Sequence, residues 1–501
     1  MAIDSSNLSK TLLPLGFAAF IIIVFLLVIN AIRGRGSSQN FTGGLPCIKS
    51  LLSQEKKTSE TSEDKDSPLD LSVNVGIDAS QSLSGFVNVE NSRFATVIQK
   101  LDNVLREENL RASLEPLNKI GSIRVNYWRI GTNKDTAEPK PLLQTRFLDA
   151  RFPKFFCAGQ SEEYPCVSSS LHQILDIGQE KNANSNSLSP ETEKISTADQ
   201  PKQNVNDVLH ILITDLEPDN SAIGELTSRI TKRLSEQSSY KAALVGIRSE
   251  FDGKLYATDV PNRWKNYKEL SNPDEKGRPF YLFLLGPGSV VDSFVDQFYD
   301  SMPPDISSKM RLSYFQSPNL SPLVLNVSPR FGEDEKHCLD RLDSLNGNRT
   351  TPEEARQWLI LRQTKTCEKN GSSFPAFNLQ DVKSTSSLLL RGGNFKPDMF
   401  KSSEPFVSVT NVSLQNSSNI PNLNLSVAVT GEEAESDEQA VNITLSEKAL
   451  DQAIWQDWSA SVPGPLEGDK TQQLIDFVSF LRNALQKDQD ALRYCLGYVR
   501  S

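Results

Sequence analysis

One carboxylate and two hydroxyls lie close together in the sequence, where Asp78, Ser80 and Ser82 form a D-x-S-x-S pattern. The pattern directly follows the apolar run 71–77, which is typical of a buried strand. A turn at the carboxyl end of such a strand can aim all three side chains at one point, and ligand sites of open α/β sheets form at this edge. Oxygen donors of this kind suit a hard cation such as Mg²⁺.

Two further groups of oxygen donors follow along the chain. Ser168, Ser169 and Ser170 precede a segment with helical spacing, and Thr214-Asp215 ends the apolar run 208–213. If these segments belong to one parallel sheet, we expect all three groups to meet at its carboxyl edge. Each group also has a simpler interpretation, because the first fits an ordinary polar turn and the other two fit helix N-caps.

The elements that would position these groups alternate between strand and helix over residues 69–302. The strand-like segments are 71–77, 122–128, 208–213, 240–247 and 280–285, and helical spacing occurs over 94–105, 171–175, 223–234 and 290–298. This alternation predicts an α/β fold with a doubly wound, mostly parallel sheet that is covered by helices on both faces. Asp252-Gly253 indicates a hairpin turn inside this region.

The three groups, in this order and spacing, resemble the metal site of the von Willebrand factor A (vWA) family over roughly residues 69–302. In that family they form a metal-ion-dependent adhesion site (MIDAS), which usually holds Mg²⁺. The resemblance implies that Ser80, Ser82 and one serine of the second group bind the cation directly. It also implies that Asp78 and Asp215 act mainly through bound waters.

The second and third groups depart from the family pattern. The family's second hydroxyl is usually Thr, two residues before an apolar helix position, and Ser169 occupies that place before Leu171. The family's third Asp is usually followed by Gly, whereas Asp215 is followed by Leu216-Glu217-Pro218-Asp219. The additional acids can change the ligand preference or supply another cation site, and the departures also fit a degenerate domain without metal.

The charge balance of the site favours a binding protein over an enzyme. Two carboxylates balance one divalent cation, and a cation that they hold through water keeps an open position for a carboxylate of a partner protein. We therefore expect Mg²⁺ or Mn²⁺, rather than Zn²⁺, and a protein partner that carries an acidic group. The alternatives are a metal-free scaffold at the membrane and a metal-dependent hydrolase that uses His172, Glu217 or Asp219 as its acid or base. The sequence contains no nucleophile elbow, Walker loop or H-E-x-x-H motif.

The remaining segments suggest a membrane-anchored protein of 501 residues with two or three domains. Residues 11–32 carry no charge and predict a transmembrane helix rather than a cleaved signal peptide, because no small-residue cleavage site follows. The other predicted parts are an N-terminal tail (1–10), a flexible tether (33–68), a disordered insertion (179–206), a second, β-rich domain (303–470) with a helical patch (352–362), and a C-terminal helix (471–501).

Charges and cysteines give opposite indications of which side of the membrane holds the protein body. Arg33 and Arg35 follow the predicted span directly, which favours a cytoplasmic body and, by the family resemblance, an adaptor for an AAA-type ATPase. The cysteines instead suggest two disulfides of an oxidising compartment, Cys157 with Cys166 and Cys338 with Cys367. We expect an extracytoplasmic body, in which a Cys157–Cys166 bond would brace the loop of Ser169.

The overall charge argues against one class of partner. The formal net charge is -10, and no Lys/Arg-rich stripe stands out in the sequence. Binding to nucleic acid normally requires a basic surface, so we do not expect a nucleic-acid partner.

Overall fold

The computed structural model describes residues 69–500, apart from several internal segments. The ranges outside the description are 1–68, 116–119, 134–138, 157–161, 178–206, 218–219, 259, 261–262, 317–326, 331–338, 341–358, 364–376, 382–389, 391–392, 418–419, 430–437, 486–489 and 501. The predicted membrane span, tether and insertion therefore lie outside the described residues. No helix among the described residues combines the length and the apolar character that crossing a membrane requires.

A seven-stranded mixed sheet forms the centre of the α/β region. The strands up to residue 316 are β1 (Leu69–Asp78), β2 (Ile120–Ile130), β3 (Lys140–Leu142), β4 (Asp207–Thr214), β5 (Tyr240–Ser249), β6 (Phe251–Tyr256), β7 (Trp264–Glu269), β8 (Arg278–Pro287) and β9 (Arg311–Gln316). The sheet has the order β3-β2-β1-β4-β8-β5-β9, while β6 and β7 pair separately as a hairpin. Strand β1 runs parallel to β2 and β4, but β8 is antiparallel to both of its neighbours.

The prediction of a mostly parallel sheet is therefore wrong, and the connection after β5 explains why. A parallel neighbour requires a long crossover, usually through a helix. Here the chain leaves β5 through the β6–β7 hairpin and returns beside β5 in the opposite direction as β8. The predicted turn at Asp252-Gly253 is also misplaced, because both residues lie inside β6. A Cβ on Gly253 would approach Gly85 Cα to 2.7 Å, so this glycine serves close backbone packing instead.

Both faces of the central strand β1 are covered. Val75 and Ile77 are fully buried on one face, while Gly76 faces Ile174 on the other. The helices are α1 (Ser84–Val87), α2 (Arg93–Val104), α3 (Glu107–Leu114), α4 (Gln144–Phe147), α5 (Asn220–Glu236), α6 (Pro273–Lys276), α7 (Gly288–Ser301), α8 (Pro304–Ser307), α9 (Glu447–Trp455) and α10 (Leu474–Ala484). Helices α2, α3 and α7 pack together as one group, and α5 packs with α10 and the 3₁₀ helix Leu171–Asp176 as another.

The remaining strands form two further sheets and one short pair. They are β10 (Val327–Arg330), β11 (Leu339–Asp340), β12 (Leu359–Gln363), β13 (Phe377–Asp381), β14 (Phe400–Ser402), β15 (Val407–Ser417), β16 (Ile420–Val429), β17 (Glu438–Ser446), β18 (Ser459–Ala460), β19 (Thr471–Gln472) and β20 (Asp490–Arg500). The sheet orders are β10-β13-β16-β15 and β11-β12-β20-β17-β14, and β18 pairs with β19. Strands β12 and β20 contradict the helical interpretations of residues 359–362 and 490–500, because pairing with neighbouring strands outweighs the local helical spacing.

The seven-stranded sheet does not end at the predicted domain boundary after residue 302. Strand β9 joins its edge, and α9 packs beside it. Trp455 is fully buried, donates from Nε1 to Ser313 Oγ of β9 at 2.8 Å, and lies where a Cβ on Gly246 would approach its ring to 2.7 Å. Buried Arg482 of α10 pairs with Glu447 and Asp451 of α9 at 2.7 and 2.6 Å. Two C-terminal helices therefore complete the core of the α/β region.

Candidate metal centre

The carboxylate of Asp78 lies fully buried at the point where three loops meet. Its Oδ1 accepts a hydrogen bond from the backbone N–H of Ser80 at 3.0 Å. Its Oδ2 accepts from Ser169 Oγ at 2.9 Å and from Thr214 Oγ1 at 3.2 Å. The structure thus joins the three groups of donors at the carboxyl ends of β1 and β4 and in the 166–170 segment, as the sequence predicts.

The D-x-S-x-S turn presents its two serines side by side. Ser80 Oγ and Ser82 Oγ are 3.0 Å apart and both side chains are buried. The backbone fixes the turn, because Ala79 N–H donates to Ile130 O at 2.9 Å and Ser80 pairs with Val167. The Ser80 side chain also hydrogen-bonds Asp78, so the paired hydroxyls lie directly beside the buried carboxylate.

A close backbone approach positions the loop that carries Ser169. Thr132 and Ser168 exchange backbone hydrogen bonds of 2.9 and 2.8 Å. Gly131, at the end of β2, has a φ of 141°, and a Cβ there would lie 2.5 Å from Val167 Cγ2 and 2.9 Å from Ser168 O. A glycine is therefore required where the end of β2 passes the loop that carries Ser169.

The third loop turns sharply after Asp215 without the glycine of the family pattern. Leu216 has a φ of 54°, in the left-handed region, and its side chain is 2% exposed. Its N–H donates to Thr214 Oγ1 at 3.0 Å, and the N–H of Glu217 donates to Asp215 Oδ1 at 3.4 Å. The leucine thus keeps the local conformation that glycine adopts easily, and burial of its side chain offsets the strain.

A buried arginine also joins the site, and no sequence pattern predicts its presence there. Arg278, at the start of β8, contacts Glu217 Oε2 through Nη2, and the same nitrogen lies 3.7 Å from Asp215 Oδ2. Arg278 is 0% exposed. No local pattern marks it, because it reaches the site only through the placement of β8 beside β4.

The electrostatics of the site indicate an excess of negative charge. Burial, together with repulsion from Asp215, raises the pKa of Asp78 to about 6 against the opposing effect of its hydrogen-bond donors. Burial is also the main cause that raises the pKa of Glu217 to about 7; Arg278 acts in the lowering direction and Asp215 in the raising one. Asp215 and Glu217 share the guanidinium of Arg278, and buried Arg129 attracts the charge of Asp78. Full ionisation of the three carboxylates therefore leaves one net negative charge, which a bound cation would offset.

The donor set fits a hard cation. Asp215 Oδ2 is buried and has no hydrogen-bond donor within the part of the chain that the structure describes. Within that part there is also no cluster of three or more His, Cys, Asp or Glu side chains with metal-binding geometry. Serine hydroxyls and carboxylates supply the oxygen shell that Mg²⁺ or Mn²⁺ prefers, and the five predicted residues include neither the His nor the Cys that zinc sites normally contain.

Two of the three side chains suggested as acid or base of a hydrolase lie among the described residues, and both contact other charged side chains. His172 Nδ1 lies 3.4 Å from Glu225 Oε2 of α5, and burial lowers the pKa of the imidazole. Glu217 is paired with Arg278, and Asp219 lies outside the described residues. Of the three groups suggested for a hydrolase, the two described ones, His172 and Glu217, thus contact other charged side chains.

The cysteine predictions fall mainly outside the described residues. Cys166 is disulfide-bonded, three positions before Ser169. The predicted partner Cys157 and the predicted pair Cys338 and Cys367 lie outside the described residues. The pairing therefore remains a prediction.

Comparisons with known proteins returned no relative. No family model matches the chain, and neither the curated proteins nor the solved structures contain a match. The functional interpretation therefore rests on the geometry of the site.

Proposed function

We propose that this protein binds a partner protein through a divalent cation, Mg²⁺ or Mn²⁺, held where the three loops meet. The observation that carries the proposal is the buried Asp78 carboxylate, which receives hydrogen bonds from all three loops. Beside it, Asp215 Oδ2 is buried and has no hydrogen-bond donor among the described residues. A buried carboxylate oxygen without a donor is costly, and a hydrated cation removes that cost.

Each of the five site residues has a role in this proposal. The hydroxyls of Ser80, Ser82 and Ser169 bind the cation directly, and Asp78 and Asp215 hold its water molecules. Because neither carboxylate neutralises the cation by direct contact, the cation stays electrophilic and accepts a carboxylate of the partner. The protein acts as a binding module rather than an enzyme.

The location of the protein is part of the same proposal. Residues 11–32 anchor the chain in the membrane as a single span, and the body lies on the extracytoplasmic side. The disulfide of Cys166 supports this orientation, because disulfides persist mainly in oxidising compartments. An acidic partner protein would then meet the metal site outside the cytoplasm.

A second function, a metal-free scaffold, has one specific observation in its favour. Arg278 already places a guanidinium 3.7 Å from Asp215 Oδ2, and this internal charge can take over part of the role of a cation. A scaffold of this kind would assemble with partners at the membrane without metal.

Calorimetric titration of the full chain in detergent with Mg²⁺ and with Mn²⁺ separates the two functions. We expect binding by the parent and its loss in Asp78→Ala, which removes the acceptor that joins the loops. The matched control is Asp70→Ala at the opposite end of β1, where the carboxylate is exposed and bonds Ser122. Absence of binding by the folded parent would overturn the metal-dependent function and favour the scaffold.

A further inference from the structure

One nitrogen of Arg278, Nη2, lies near two carboxylates but at different distances from them. Nη2 contacts Glu217 Oε2 directly, whereas Asp215 Oδ2 lies 3.7 Å away, beyond hydrogen-bond distance. Both carboxylates and the guanidinium are almost completely excluded from solvent. Arg278 thus interacts more closely with Glu217, which is not a predicted metal ligand, than with Asp215, which is.

The C-terminal segment holds this arrangement from the other side. Gln472 N–H donates to Glu217 Oε1 at 3.3 Å, and Arg278 Nη1 lies 3.5 Å from the carbonyl oxygens of Gly468 and Lys470. The guanidinium also lies over the ring of Phe251, 5.4 Å from its centroid. These contacts fix both members of the pair and keep the guanidinium from swinging freely toward Asp215.

We propose that Glu217 is a positioning residue for the metal site, because it holds the Arg278 guanidinium away from Asp215 and so leaves the Asp215 carboxylate available to the cation and its waters. This inference rests on the proposed metal-dependent function. A guanidinium and a hydrated cation compete for the same carboxylate oxygen, and the partner of the guanidinium decides which of them obtains it.

The competition predicts a characteristic pattern for charge-neutral substitutions. In Glu217→Gln the side chain keeps its size but loses its charge, so Asp215 becomes the stronger acceptor for Arg278 and the site loses a negative charge. We expect Mg²⁺ affinity to fall about tenfold or more, within the range of coupling energies between contacting charged groups. In Arg278→Gln the competitor is gone, and we expect tighter Mg²⁺ binding than in the parent.

The double variant Glu217→Gln/Arg278→Gln distinguishes positioning from a general structural role. If Glu217 acts by holding Arg278, its replacement has little effect once Arg278 is absent, so the double variant binds Mg²⁺ to within about threefold of Arg278→Gln, a clear departure from additivity. If the pair only stabilises the fold, both single variants weaken binding, because each leaves an unpaired buried charge, and Arg278→Gln then binds Mg²⁺ more weakly than the parent. Calorimetry with Mg²⁺ on the full chain measures all four proteins, and thermal unfolding verifies that each one is folded.

The outcomes separate this inference from the proposed function. Mg²⁺ binding by the parent, loss in Glu217→Gln and recovery in the double variant would support it. Two results would overturn the positioning role and leave the metal site standing. In the first, Glu217→Gln leaves the Mg²⁺ affinity of the parent unchanged. In the second, Glu217→Gln weakens Mg²⁺ binding by the same factor in the parent and in Arg278→Gln. Should Glu217→Gln fail to fold, weaker binding by Arg278→Gln than by the parent would still refute it. A parent without Mg²⁺ binding would overturn both.

Discussion

Leu216 adopts a left-handed backbone conformation that is unfavourable for leucine. Its positive φ disfavours any side chain, yet its side chain is buried in the core. Leu216→Ala keeps the strain and loses the burial, whereas Leu216→Gly loses the burial but relieves the strain. We expect both variants to be less stable than the parent, with Gly about 1 kcal/mol more stable than Ala. Urea unfolding compares them, and an equal or lower stability of the glycine variant would contradict a strained Leu216.

His210 provides a test of the core that depends on pH. It lies buried in β4, and burial, with Arg233 of α5 nearby, lowers its pKa to about 3. The unfolded chain takes up a proton near pH 6.5 and the folded chain does not, so this residue reduces stability as the pH falls below that value. At pH 5 the loss is about 2 kcal/mol.

The variant His210→Leu removes this titration and keeps an apolar core. Because other carboxyls also titrate in this range, the relevant quantity is the difference in unfolding free energy between parent and variant at pH 7 and at pH 5. We expect the parent to lose stability relative to the variant by about 2 kcal/mol on acidification. Parallel pH profiles of the two proteins would show that His210 does not remain neutral in the fold.

At the scale of elements, the contact between the end of β2 and the loop that carries Ser169 leaves no space for a Cβ at Gly131. Gly131→Ala would place a Cβ 2.5 Å from Val167 Cγ2 at an unfavourable φ. We expect a loss of about 1–3 kcal/mol in stability and weaker Mg²⁺ binding, because the loop of Ser169 must shift. Gly224→Ala in α5 is the matched control: nothing lies within 4 Å of its Cβ, so we expect a gain of up to about 1 kcal/mol. Equal effects at both positions would argue against the close approach.

Local patterns were sufficient to predict most elements of the α/β region but not their order in the sheet. The apolar runs at 71–77 and 208–213 became β1 and β4, and the helical spacing at 290–298 became α7. The position of β8 between β4 and β5 depends on the hairpin that replaces a crossover helix, and hydrophobic periodicity carries no information on strand direction.

The same distinction applies to the candidate site. Its oxygen donors follow strand ends, so sequence spacing predicted that Asp78, Ser80, Ser82, Ser169 and Asp215 converge. Arg278 arrives from a strand whose neighbours are set by tertiary pairing, and nothing in its local sequence marks it. The local sequence therefore cannot predict residues that reach the site only through the strand topology, including the segment around Gln472.

At the scale of the whole molecule, α9 and α10 bind the C-terminal region to the seven-stranded sheet. Trp455→Ala removes a fully buried ring that packs against Trp458 and Tyr281 and bonds Ser313. We expect a loss of about 3–5 kcal/mol. We also expect the sheet and these helices to unfold in one transition, monitored by circular dichroism and tryptophan fluorescence.

A surface aromatic on the same C-terminal helices serves as the control. Phe480 of α10 is 67% exposed, so Phe480→Ala should change stability by no more than about 0.5 kcal/mol. Separate transitions for the two spectroscopic signals in the parent would contradict a shared core.

The position of β8 has a consequence for the nascent chain during translation. Strands β4 and β5 leave the ribosome before the strand that lies between them, and each waits with an unpaired edge. Exposed strand edges readily pair with other chains, and multi-element sheets of this kind misassemble before they close. Helices α9 and α10, which cover part of this sheet, are synthesised still later. Translation must therefore run far beyond the candidate site residues before they are enclosed, and we expect chaperones that shield strand edges to matter most during that interval.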